Sequence, residues 1–135
     1  MAGYSGTPLA TKLGIKDGHH VGLINAPETF LPLLDPLPDG VVISTGVRSR
    51  RDVVVAFFVL RTELEQKLVA MTKAVFPAGS LWVAWPKKAA KVPTDITEDV
   101  VRAVALPTGL VDNKVCAIDE VWSGLRLVVR TELRR

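Results

Sequence analysis

The stretch Val53-Val54-Val55-Ala56-Phe57-Phe58-Val59-Leu60 is apolar without a break and rich in β-branched and aromatic side chains. A strand with one wet face alternates polar and apolar residues, so a strand without polar positions must be covered on both faces. The chain therefore has to place layers on each side of a sheet. The next residues supply one. Thr62 precedes Glu65 at capping-box spacing, and Leu64, Leu68, Met71 and Val75 follow at helical spacing. Glu63 and Lys67 are expected to pair on the outer face, and Pro77-Ala78-Gly79 ends the helix. Leu81 to Trp85 is a second strand of the buried type. Pro86 to Pro93 is a basic loop, after which Asp95 and Glu98 are placed as reciprocal caps. The second helix runs to about Leu106 with Val100, Val101 and Val104 inward, and Pro107 and Gly109 stop it.

The flanks extend this core. A helical turn is expected at Pro8 to Leu13, and Lys16-Asp17-Gly18 reads as a turn before a strand from His20 to Ile24. Glu28 to Leu34 reads as a short helix with Phe30, Leu33 and Leu34 on one face, and Val41 to Ser44 as a short strand. Lys114 to Asp119 and Leu125 to Arg130 read as strands of a hairpin whose turn contains Gly124. The fold class is α/β: an open, mostly parallel sheet with flanking helices and a C-terminal antiparallel hairpin. Thr45 to Asp52 is too short for a helical crossover. The second strand either returns to the third through an extended segment or pairs with it antiparallel.

The 135 residues are expected to form one domain, residues 1–135. Hydrophobic residues at 48% and charged residues at 23% exclude a disordered or collagen-like chain. The longest apolar run is far short of the roughly 20 residues that span a membrane, and no signal-peptide pattern is seen. Cys116 is the only cysteine, which excludes an internal disulfide. A reducing cytoplasm is the expected compartment.

Several segments resemble known proteins. Leu13-Gly14-Ile15-Lys16-Asp17-Gly18-His19-His20-Val21 is similar to the lead-in to the first strand of class I methyltransferases. Val53 to Leu60, Leu81 to Trp85 and Lys114 to Val129 resemble the last four strands of those enzymes. The resemblance implies a Rossmann-like fold. It also implies a glycine-rich turn after the first strand and an acidic residue after the second, both for S-adenosylmethionine. This chain departs at both places, with Asn25-Ala26-Pro27-Glu28-Thr29 and Ser44-Thr45-Gly46. Without glycine the backbone cannot approach a cofactor closely, so no cofactor is assigned. Gly3-Tyr4-Ser5-Gly6-Thr7-Pro8-Leu9, Leu81 to Lys88, Gly109 to Ala117 and Trp122-Ser123-Gly124-Leu125 also resemble a family of short bacterial proteins of unknown function.

Ligands of open α/β sheets sit outside the carboxyl ends of the strands. Three segments are expected to meet there, contributing Asn25, Glu28, Trp85, Lys87, Lys88, Asp119, Glu120 and Trp122. The lysines suit a phosphate or carboxylate, and a carboxylate beside an indole suits a cationic or heteroaromatic group. The structural alternatives are a core Trp85, a solvated loop of Lys87, Lys88 and Lys91, an Asp119 that caps a turn and a Trp122 that shields the sheet end. His19 and His20 point to opposite faces of a strand, so no metal site is expected. Cys116 between Val115 and Ala117 reads as a buried thiol, and neither Ser44 nor Ser123 is expected to have a histidine beside it. Arg48, Arg50 and Arg51, with Arg126, Arg130, Arg134 and Arg135 in the tail, form basic groups without interleaved aromatics. At a net charge of +3 a solvated surface is favoured over nucleic acid. The function expected is a non-catalytic module for a small ligand or protein partner, with a transferase using S-adenosylmethionine or a nucleotide as the alternative.

Overall fold

The computed structural model describes residues 7–134. Gly3 to Gly6 of the N-terminal motif and Arg135 of the basic tail lie outside the described residues. The elements are α1 (Leu9–Lys12), β1 (His20–Ile24), β2 (Val42–Thr45), β3 (Val53–Phe57), α2 (Arg61–Val75), β4 (Ser80–Pro86), α3 (Glu98–Ala105), β5 (Leu110–Ala117) and β6 (Trp122–Val129). They build one sheet in the order β2-β1-β3-β4-β6-β5. β1 to β4 are mutually parallel, and β6 lies antiparallel between β4 and β5. β5 therefore runs in the same direction as the first four strands. No helix among the described residues is long and apolar enough to cross a membrane.

Several local expectations are corrected by partners distant in sequence. The cap of α2 is not Thr62. The Arg61 N–H donates to Asp95 Oδ1 at 2.7 Å, while the Glu65 carboxylate pairs with the Arg61 side chain at 3.3 Å. Asp95 thus starts the helix before it. Its own expected helix is capped by Thr97, whose Oγ1 accepts from Val100 N at 3.2 Å. The Glu28–Leu34 segment forms a turn and then a 3-10 helix at Leu31–Leu34, burying Phe30 and Leu34 but leaving Leu33 exposed. Gly124 is not in the hairpin turn but inside β6, where a Cβ would stand 3.1 Å from the Trp82 ring and from Ile118 Cδ1. The turn itself is closed by Asp119.

The short link between β2 and β3 is an extended return. Both strands flank β1, so residues 46–52 must cross it. Gly22 makes this feasible: a Cβ there would lie 2.8 Å from Gly46 O and 3.1 Å from Arg51 Cγ and Nε. Arg51 is buried in the crossing. Its backbone N–H donates to Ala74 O at 2.7 Å, at the end of α2, and its Nη1 donates to Ser49 Oγ at 2.6 Å. Asp52 completes the anchor by accepting from His20 N at 2.8 Å through Oδ2.

The central strands β1, β3 and β4 are buried on both faces, but by unlike layers. α2 and α3 cover one face, packing Leu64, Leu68, Met71 and Val101 on Val54, Ala56, Val83 and Leu127. The opposite face has no long helix. It is covered by Ala10, Leu13, Ile15, Phe30 and Leu34 from the N-terminal segment and the loop after β1. The buried Trp82 indole donates to Leu13 O at 2.9 Å and ties this cover to the central sheet. If the crossing is pressed onto β1 as described, Gly22→Ala should cost about 1–3 kcal/mol, because a backbone carbonyl rather than a flexible side chain must move. Chemical denaturation checks this; an unchanged midpoint would mean the link lies clear of β1.

Candidate functional site

Chain order reverses between β1 and β3, since β2 lies on the far side of β1. In open α/β sheets the carboxyl ends at such a reversal border the ligand crevice. Here Asn25, Phe57 and Trp122 stand at or next to these strand ends. Asn25 leaves β1 with φ +55°, a left-handed conformation that Asn tolerates better than most residues. Its Nδ2 donates to Phe57 O at 3.1 Å and bridges the two strand ends. A turn closed by Phe30 N to Pro27 O, 3.0 Å, then brings Phe30 back over the sheet. The Phe30 and Phe57 rings meet edge-on with centroids 4.9 Å apart, and Phe57 and Trp122 do the same at 5.1 Å. Phe30 and Phe57 are both buried, so this aromatic group is part of the core.

Around this plug the three segments meet as the parallel direction of β5 requires. Lys87 N donates to Val121 O at 2.7 Å, joining the loop after β4 to the hairpin. The eight candidate residues divide by environment. Trp85 is 7% exposed and packs in the core on the helix-covered face. Asp119 Oδ1 accepts from Val121 N at 2.8 Å and Trp122 N at 2.7 Å, which commits its carboxylate to the turn. Asn25 is held by its bridge, and Trp122 is half-buried against Phe57. Glu28, Lys88 and Glu120 are exposed and Lys87 is half-buried; among the described residues none of these four forms an ion pair. The rim thus offers two ammonium groups, two carboxylates and the edge of an indole.

One polar pairing was not expected. His20 Nε2 lies 3.1 Å from Ser44 Oγ, so this serine does have a histidine beside it. The parallel register sets His20 against Val42 and Gly22 against Ser44, and only that register makes the two residues diagonal neighbours. Acyl transfer by such a pair would need a group orienting the other ring nitrogen and donors for an oxyanion. Neither is formed among the described residues, and Arg51 lies against the adjacent Gly22. His19 turns away, its Nδ1 accepting from Lys16 N at 3.1 Å. Cys116 is buried with its thiol on Ala117 O at 3.3 Å, and burial raises its pKa above the ordinary thiol value.

No protein-family model and no curated protein matches the sequence. Solved structures do. A SAM-dependent methyltransferase from Aquifex aeolicus superposes with a TM-score of 0.64 at 15% identity, covering 90% of this chain and 88% of that one. A protein described as a type 11 methyltransferase, from Sulfolobus solfataricus, gives 0.64 at 12% identity over 91% and 90%. Fibrillarin from Aeropyrum pernix with natively bound S-adenosyl-L-methionine gives 0.58 at 11% over 89% and 73%. The fold is methyltransferase-like. At these identities the likeness carries the architecture, a Rossmann-like sheet with an antiparallel terminal strand, and the methyltransferase part of the sequence resemblance.

The committed and the free rim groups should separate by mutation. Asp119→Ala removes two bonds to a charged acceptor and should destabilise the fold by about 1–3 kcal/mol. The Lys87→Ala, Lys88→Ala double variant should stay within about 0.5 kcal/mol of the parent. Urea unfolding of both checks this; a large loss in the lysine variant would make those side chains structural.

Proposed function

We propose that this chain is a methyltransferase-like binding module that transfers no methyl group and engages a small ligand or a protein partner through the strand-end rim. The observation that carries this reading is the filled switch point: Asn25 bridges to Phe57 O, and Phe30, Phe57 and Trp122 pack where the strand ends diverge. A cofactor seated at a glycine turn gains its affinity from backbone groups that it can approach closely. Here the corresponding segment has side chains at every position and a proline in its middle. An occupant would have to displace buried aromatic surface that contributes to the core, which sets a high cost on entry.

Binding at the rim has no such cost. Lys88, Glu28 and Glu120 are exposed, and Lys87 and the Trp122 indole are half-buried. Mixed charge around one aromatic suits a ligand that combines a planar or apolar part with a carboxylate or phosphate, or a protein surface with the same features. The competing reading is a transferase that uses S-adenosylmethionine. Its support is the fibrillarin neighbour with that compound bound. Titration calorimetry separates the two. The binding-module reading expects no dissociation constant below about 10 μM for S-adenosylmethionine or S-adenosylhomocysteine; a tighter value would overturn it in favour of the transferase.

A further inference from the structure

The two outer strands of the sheet, β2 and β5, present unlike edges. On β5, Asp112 is opposite Leu127 and Lys114 is opposite Arg126, so Asn113 is an extra residue that interrupts the ladder. The bulge shifts the faces of the strand and leaves Cys116 packed with Leu13 and Trp82 on the face without long helices. With charges at Asp112 and Lys114 as well, this edge has the features that keep an outer strand from pairing with another chain. β2 has neither. Val42-Ile43-Ser44-Thr45 carries no charge and no proline, and its register against β1 runs without a shift.

That register also fixes where the backbone groups of β2 point. Val42 N donates to His19 O at 3.0 Å and Gly46 N to Leu23 O at 2.9 Å, so residues 42, 44 and 46 turn toward β1. Ile43 and Thr45 are one position out of step and turn their N–H and C=O groups outward. Among the described residues these outward groups have no hydrogen-bond partner. The flanking chain leaves them open, because both ends are drawn toward the inside of the sheet. Before β2, Asp39 O accepts from Gly18 N at 2.8 Å; after it, residues 46–52 cross β1. Val42, 53% exposed, and the half-buried Val41 and Ile43 add β-branched apolar surface at the same edge.

The two ends of the strand differ in charge. Asp39 and Asp17 meet before it, with Asp39 N donating to Asp17 Oδ1 at 3.1 Å, and Lys16 offsets only one of them. Arg48 and Arg50 follow it, both exposed and without an ion pair among the described residues. Asp39 and Arg48 stand almost symmetrically about Ile43 in the sequence. An antiparallel pair of β2 strands centred on Ile43 therefore brings Arg48 of each copy to the Asp39 end of the other. The same register sets Ile43 opposite Ile43 of the second copy and Thr45 opposite its Val41, so the outward groups meet their complements.

We propose that β2 is a self-association edge, through which two copies of this chain join antiparallel and continue one sheet across a two-fold axis. The contact is short and below the area of stable interfaces, so the dimer is weak, with a dissociation constant of about 0.1–1 mM. This surface is separate from the strand-end rim, and the proposal does not depend on what the rim binds.

Sedimentation equilibrium at low ionic strength, with protein up to about 2 mM, should show monomer and dimer. Amide exchange at Ile43 and Thr45 should slow as the concentration rises. Thr45→Pro removes an outward donor and no bond to β1, and should weaken association by about tenfold or more. Val42→Lys changes an already exposed position and should act in the same direction, by placing two ammonium groups diagonally across the axis. Val115→Lys, at a position 49% exposed on β5, should leave association unchanged. Arg48→Glu should weaken the dimer, and adding Asp39→Lys should restore it. A monomer at every concentration, a dimer insensitive to both β2 variants, or one lost only on Val115→Lys would overturn the proposal. So would a charge exchange that fails to restore the dimer.

Discussion

The central strands β1, β3 and β4 are buried on both faces while the long helices lie on only one, and that imbalance governs the rest of the molecule. The face without helices is closed by chain that has little regular structure of its own. A four-residue helix, a turn and a 3-10 segment bring Ala10, Leu13, Ile15, Phe30 and Leu34 against Val21, Val55 and Trp82. Short helical pieces like these are not stable alone and hold their shape through tertiary packing. The Trp82 indole is the main fastener. Its donated hydrogen bond satisfies the Leu13 carbonyl inside the core, where an unpaired carbonyl would cost more than the bond contributes. Gly124 gives that indole its space.

The same economy of layers shapes the strand ends. With only a four-residue 3-10 helix between β1 and β2 on this face, residues 26–34 must both turn the chain and cover the sheet. They do so by sending Phe30 onto Phe57. The cover of the core and the contents of the crevice are therefore the same side chains. A cofactor fold usually keeps these roles apart, with glycine at the crevice and apolar residues deeper in the sheet. Here Phe30, Phe57 and Trp122 pack together near the strand ends, and Glu28, Lys87, Lys88 and Glu120 form no ion pair among the described residues. On the other face a similar economy appears at Gly22, where an extended crossing and one arginine take the place of a helix.

How much of this the amino-acid sequence reveals depends on the range of the interaction. Val53 to Phe57, Ser80 to Pro86 and the Leu64, Leu68, Met71, Val75 stripe are visible because strand and helix periods act over neighbouring residues. The antiparallel final pair, and with it the bond that joins the loop after β4 to the hairpin, follows from topology and was also legible. What was not legible needs a partner far along the chain. Asp95 caps α2 across 34 residues, so it resembles the start of its own helix. The bulge at Asn113 has no strong local signature, and it alone decides the side on which Lys114 and Cys116 lie. The His20–Ser44 contact exists only through the β1–β2 register. The Asn25-Ala26-Pro27 segment showed that glycine is missing, but not that Phe30 fills the space.

The central claim is that the side chains filling the switch point belong to the core, and the unfolding free energy of Phe30→Ala tests it most directly. Removing a fully buried phenyl ring from a close-packed core costs about 3–5 kcal/mol, and the account predicts a loss of that size in urea denaturation. A loss below about 1 kcal/mol, the range of ordinary surface changes, would mean that Phe30 is a movable lid and that the crevice beneath it is open to a ligand.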